Sequence, residues 1–85
     1  MNNNKILINL IVPSINEVYN LFIPINKTIA ETIMILNQAI NDLTEGQFPI
    51  SKNLSLVNCD TNEVYNYDYT VHICKIEYGS NLALI

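Results

Sequence analysis

The stretch Thr28–Gly46, TIAETIMILNQAINDLTEG, decides how the rest of the chain is read. Thr28 can accept the orphan backbone N–H groups of a new helix, and Glu31, three residues on, can reach back to the Thr28 N–H, which is the spacing of a capping box. From there Ile29, Ile33, Leu36, Ile40 and Leu43 recur at steps of four and three, an apolar stripe of helical period whose ordinary use is core packing. Asn37, Gln38 and Asn41 lie off the stripe and are expected to see water. Gly46 is placed to be the left-handed residue beyond the last turn, and Pro49 blocks continuation. One helix is therefore expected here.

Working outward, both flanks read as strands. In Lys5–Val12, Ile6, Ile8, Leu10 and Val12 fall on one face and Leu7, Asn9 and Ile11 on the other. Pro13–Asn16 carries turn residues, and Glu17–Ile23 alternates again, with Tyr19, Leu21 and Ile23 opposite Val18, Asn20 and Phe22. Two such strands joined by a short turn make an antiparallel hairpin, which Pro24 ends. Beyond the helix, Leu54–Val57 is a short strand, Cys59–Glu63 a turn, and Val64-Tyr65 a brief return. Tyr69–Ile76 reads as a strand, from Val71 and Ile73, or as an irregular crossing segment, which the fold argument favours, and Tyr78–Asn81 reads as a turn before a last strand, Leu82–Ile85. The weak alternation of that strand predicts burial on both faces. The simplest solution is an α+β domain of the ββαββ type, a mixed sheet packed on one helix, with the last strand parallel to the first in the sheet interior. Residues 5–85 form that single domain, and residues 1–4, with their asparagine run, are expected to be a flexible arm.

Composition narrows the function classes. The chain has 85 residues, 49% of them hydrophobic, enough for one core without staples. Cys59 and Cys74 are too few for a disulfide scaffold and read as free thiols in a reducing compartment. With His72 the only histidine, neither a structural metal site nor a cofactor is expected. The formal net charge is -4, from four lysines and no arginine against eight carboxylates. Nucleic-acid binding needs a basic face, preferably with arginine forks, so it is not expected. Anionic lipid surfaces are disfavoured for the same reason. The apolar run Ile6–Val12 is far too short to cross a bilayer, so the expectation is a cytoplasmic protein without direct membrane insertion. Cys74 stands near His72 in sequence, but a catalytic thiol also needs an orienting third group and a cleft, and no enzyme is expected. Asp60 and Glu63 flank a turn and read as solvated charges.

The last sixteen residues, Thr70-Val71-His72-Ile73-Cys74-Lys75-Ile76-Glu77-Tyr78-Gly79-Ser80-Asn81-Leu82-Ala83-Leu84-Ile85, resemble the end of ubiquitin-like β-grasp domains. There a Thr is followed by an apolar residue, a buried Ile comes six positions after the Thr, and a tight turn with Ser precedes a Leu-x-Leu strand. Thr70, Val71, Ile76, Ser80, Leu82 and Leu84 fill those places. Thr28-Ile29 at the helix start and Glu45-Gly46 with Pro49 nearby resemble ubiquitin too, and the likeness spans the chain from Lys5. Ile6–Ser14 and Phe22–Ile25 are similar to the YukD/EsaB-like family of Gram-positive bacteria. The resemblance implies a cytosolic accessory component of a type VII secretion system, which exports small helical Trp-x-Gly proteins, and it carries over no catalytic residues. Ubiquitin and sulfur carriers act through a tail ending in Gly-Gly. Here the sequence ends at Ile85, inside the expected strand, so conjugation is not expected.

On this plan the sheet face away from the helix shows Leu7, Ile11, Val18 and Phe22, more apolar surface than an outer face needs. These four are the candidate partner-binding residues. Tyr65 and Tyr67, which alternate with Tyr69, join them because tyrosine buries area and keeps a hydroxyl handle. The partners expected are proteins, secretion-system subunits or a second copy forming a homodimer. The alternative is a general β-grasp adaptor or regulatory protein outside secretion.

Overall fold

A computed structural model describes residues 4–85. Lys5–Val12 forms β1, Glu17–Pro24 β2, Ile29–Leu43 the helix α1, Leu56–Asn58 β3 and Asn81–Leu84 β4. The strands make one mixed sheet in the order β2-β1-β4-β3. β1 runs antiparallel to β2 and parallel to β4, and β3 is antiparallel to β4. The β-grasp arrangement expected from the sequence is present, with the last strand between the first and third. The arm expected at residues 1–4 falls outside the described residues except for Asn4, whose carbonyl accepts the Ile25 N–H at 2.7 Å.

Local chemistry explains the elements. A single 3-10 turn, Pro13–Ile15, joins the hairpin, and Asn16 takes the left-handed conformation (φ 54°) that reverses the chain. Pro24 is tolerated as the last residue of β2 because that strand is an edge. The capping box forms as the spacing predicts. The Glu31 N–H donates to the Thr28 hydroxyl at 3.1 Å, and the Thr28 N–H donates to the Glu31 carboxylate at 3.0 Å.

The helix closes with a Schellman pattern, in which Gly46 N–H bonds the Asn41 carbonyl and Glu45 N–H the Asp42 carbonyl. Here the structure corrects the sequence reading. Thr44 is the C-cap, so the first left-handed position belongs to Glu45 (φ 53°), and Gly46 (φ 86°) follows it.

The core lies between α1 and the inner sheet face. Ile8, Leu10 and Val12 from β1, Ile23 from β2, Leu56 from β3 and Leu82 and Leu84 from β4 meet Ile29, Ile33, Leu36 and Ile40 of the helix. Each fully buried aliphatic side chain contributes about 1.5–3 kcal/mol of transfer free energy. Two helix expectations fail. Leu43 is 59% exposed, while Phe48, brought back by the turn at the helix end, is buried in the core. Asn37 is only 2% exposed, because its amide clamps the segment that returns along the helix. Its Nδ2 donates to the Pro49 carbonyl at 3.1 Å, and its Oδ1 accepts the Ser51 N–H at 2.8 Å. Asn41 is half-buried and donates to the Phe48 carbonyl, and only Gln38 of the three is fully on the water side.

The last strand is also corrected. Leu82 and Leu84 are buried, Ala83 is half-buried and Ile85 is exposed, so β4 alternates in burial and, among the described residues, the helix covers one face of the sheet. The segment after β3 crosses back as expected. Val64 makes one bridge to Val57, and Thr70 bridges Thr28 at the helix start. Turns then place Val71 and Ile76 in the core.

Candidate interaction surface

The backbone hydrogen-bond phase fixes which residues share the outer face. The Asn9 N–H donates to the Ser80 carbonyl and the Leu7 carbonyl accepts from Gly79, so odd-numbered residues of β1 bond toward β4. Even-numbered residues of β1 therefore bond toward β2. In the hairpin register these face Tyr19, Leu21 and Ile23, so the main-chain groups of Val18, Asn20 and Phe22 point away from β1.

Three rows run across the outer face. In the first, Phe22 stands opposite Leu7, and the Tyr78 ring meets the Phe22 ring edge-on at 6.5 Å between centroids. In the third, Val18 pairs with Ile11, Ile11 with Ala83, Ala83 with Val57 and Val57 with Val64, an apolar line across the full width of the sheet. The middle row is Asn20, Asn9 and Asn81. Asn20 Nδ2 donates to Asn9 Oδ1, and Asn9 Nδ2 donates to Asn81 Oδ1 at 3.0 Å, with the Gly79 carbonyl at 3.4 Å. A polar ladder thus divides the outer face into two apolar stripes. Its amides are matched in one register only, since a one-residue slip turns every side chain to the other face.

The structure brings Leu7, Ile11, Val18 and Phe22 together, as the alternation predicts. Val18 and Phe22 are 62% and 57% exposed, and Leu7 and Ile11 are half-buried between neighbours. Tyr65 and Tyr67 sit elsewhere. Tyr65 pairs through its N–H with the Leu56 carbonyl and packs half-buried against the core, and that burial pushes its phenol up from the ordinary value. Tyr67 stands at the β3 rim, its hydroxyl donating to the Leu54 carbonyl at 3.0 Å and lying 3.2 Å from the Ser55 hydroxyl. It overlooks a groove of about 700 Å³ between α1 and the returning segment, walled by Met34, Ile50 and Leu54. Sequence reasoning missed Tyr78, Val64 and the asparagine ladder. The parallel register of β4 on β1 is what carries Tyr78 and Asn81 to this face, and no local pattern in the sequence states that register.

Neither thiol carries the shift of an activated nucleophile. Burial pushes both Cys59 and Cys74 up from the ordinary thiol value, and the Asp60 carboxylate adds to the rise at Cys59. An activated thiol needs the opposite shift. His72 is exposed, and among the described residues it shares no hydrogen bond with either thiol. Among the described residues no group of three or more His, Cys, Asp or Glu side chains is arranged to hold a metal ion. No helix among them is long and apolar enough to cross a membrane.

No protein-family model and no curated protein matches the sequence. Solved structures do. The EccD5 ubiquitin-like domain from Mycobacterium xenopi superposes with a TM-score of 0.78 at 12% identity, covering 98% of this chain and 94% of that one. The ubiquitin-like domain of the Mycobacterium tuberculosis type VII secretion system protein EccD1 gives 0.74 at 11% identity, covering 95% and 97%. A chain of the MycP5-free ESX-5 inner membrane complex gives 0.71 at 9% identity, with 98% of this chain aligned to 21% of that one. At such identities the likeness is one of fold, and this chain has the ubiquitin-like β-grasp fold.

Proposed function

We propose that this chain is a non-enzymatic interaction module of a type VII secretion system, and that it engages a secretion subunit through the outer face of its sheet. The observation that carries this reading is the apolar outer face. Two apolar stripes flank the asparagine ladder, and in them Phe22, Tyr78, Val18 and Val64 are each more than half exposed. Apolar area of this kind on a small domain marks a binding surface, and an aromatic residue within it is the usual anchor.

The secretion setting is supported by the fold shared with the EccD1 and EccD5 domains and with a chain of an inner membrane complex. The YukD/EsaB-like resemblance of Ile6–Ser14 adds a Gram-positive, cytoplasmic accessory role. The non-enzymatic reading is supported by two thiols shifted away from reactivity.

The test is crosslinked capture of the tagged chain from its native host, membranes included, alongside Phe22→Glu and Val18→Glu. Both positions are exposed, so the variants should fold. Recovery of the secretion ATPase or membrane subunits by the parent chain, reduced about thirtyfold or more by Phe22→Glu, supports the reading at the scale of an anchor residue. Recovery of unrelated cytosolic proteins alone moves the chain to an adaptor role outside secretion. Capture unchanged in both variants removes the outer face as the site.

A further inference from the structure

The two edges of the sheet are treated differently. Beyond β3, the chain folds back, and Asn58 N–H bonds Glu63, Tyr65 N–H bonds Leu56 and Val64 bridges Val57, so that edge is occupied. The β2 edge is bare among the described residues. Val18, Asn20 and Phe22 direct their N–H and C=O groups outward, and Pro24 adds a carbonyl without a donor. The usual protections are confined to its ends, where Pro24 closes the strand, and are missing between Val18 and Ile23. There is no lysine and no bulge, and the one charge, Glu17, stands at the end.

We propose that the β2 edge is a self-association site, at which a second copy of this chain pairs β2 to β2 in antiparallel fashion about a two-fold axis through Asn20. The register follows from the free groups. Hydrogen-bonded pairs must be made from Val18, Asn20 and Phe22 alone. Only a centre at Asn20 uses all three, setting Asn20 opposite its copy and Val18 opposite the other Phe22.

Every row of the outer face then continues across the axis. Asn20 spends one amide hydrogen on Asn9, and among the described residues nothing donates to its Oδ1. Its remaining hydrogen and this oxygen match the same two groups of its copy, so the ladder runs unbroken from Asn81 to Asn81. Val18 against Phe22 is a favourable β-branched–aromatic pair, and it joins each apolar stripe of one copy to the other stripe of its partner. Glu17 falls opposite Ile23, which keeps the two carboxylates at opposite ends of the ribbon.

A strand-to-strand contact of this length buries less than the roughly 1,200 Å² of a stable complex, so the dimer should be weak and concentration-dependent. It leaves the outer face open and doubles it, and it stands whether or not the partner of that face is a secretion subunit.

Sedimentation velocity of the full chain between about 10 μM and about 1 mM, the range expected of a small interface, should show a monomer passing into a dimer. Asn20→Lys places two ammonium groups at the axis and should weaken the dimer by more than about tenfold with an unchanged melting temperature. Position-specific crosslinking checks the register without relying on that variant. In a Cys59→Ser/Cys74→Ser background, Asn20→Cys should oxidise to a linked dimer, since hydrogen-bonded partners have Cα atoms about 5.5 Å apart. Val18→Cys should not, because its copy lies four residues along. A chain still monomeric at about 1 mM overturns the proposal. So does a dimer that survives Asn20→Lys, or crosslinking that favours position 18 over position 20.

Discussion

Replacing Asn37 by alanine tests whether a single amide holds the returning segment to the helix. Asn37 is 2% exposed and makes two hydrogen bonds to the segment's backbone, to the Pro49 carbonyl and from the Ser51 N–H. Each is worth about 0.5–1.5 kcal/mol net, so their loss costs about 1–3 kcal/mol. Alanine in a helix interior returns roughly half a kcal/mol relative to asparagine. Pro49 and Ser51 are exposed, so water can reach the groups left behind, which argues against a larger penalty. The expected net loss is about 0.5–2.5 kcal/mol, and its middle value corresponds to a fall of about 10 °C in Tm for a domain of this size. Gln38→Ala is the control. Its amide reaches only Asp42 on the helix surface, at 3.0 Å, and such pairs are worth about 0.2–0.5 kcal/mol. Urea unfolding of the three proteins, with hydrogen exchange at Ser51, reads the result. The reasoning is refuted if Asn37→Ala and Gln38→Ala unfold together, or if the Ser51 amide stays protected without the Asn37 side chain.

Three further outcomes are expected. Leu84→Ala, at a position 1% exposed in an interior strand, should cost about 2–5 kcal/mol in urea unfolding, whereas Leu43→Ala should stay within about 0.5 kcal/mol; equal losses would restore Leu43 to the core. Glu31 is held below its ordinary value of 4.5 by the Thr28 backbone N–H and then the Thr28 side chain, so its contribution is present above pH 4.5 and is lost as pH falls through the lowered folded value. Melts of Glu31→Gln should therefore lie below the parent at neutral pH and converge with it in acid, and parallel curves would contradict the cap. Cys59 and Cys74, both raised by burial, should alkylate with iodoacetamide at neutral pH more slowly in the folded chain than in urea; faster reaction at either would reopen a thiol chemistry.

Much of the fold was legible because it rests on local chemistry. The capping box at Thr28 and Glu31, the hairpin alternation and the stop at Pro24 each need only a few neighbouring residues. What failed needed distant ones. Leu43 continues the helical period, but the chain reverses at Glu45-Gly46 and Phe48 takes the core place instead. Asn37 looks like a water-facing residue until the backbone at residues 49–51 folds onto it. The exposure of Ile85 follows from its place beyond the buried Leu84 on the face away from the helix, which an apolar run does not reveal.

The candidate surface was legible for a reason that lies in one residue. In β1 both faces are apolar, with Ile6, Ile8, Leu10 and Val12 on one side and Leu7 and Ile11 on the other. Hydrophobicity alone hardly separates them. Asn9 does, because an amide placed among the core aliphatics would lack partners, at a cost of about 1–3 kcal/mol in a fully apolar site. The hairpin register then sets Asn20 opposite Asn9, where each satisfies part of the other, and the apolar pairs Leu7–Phe22 and Ile11–Val18 follow on either side. Asn9→Val removes the polar divider without disturbing the inner face. It should join the two stripes into one apolar patch, leave the core and the melting temperature close to the parent's, and promote association that is insensitive to Asn20→Lys. A marked loss of stability instead would mean that the ladder, rather than the buried aliphatics, chooses which face of the sheet meets the helix.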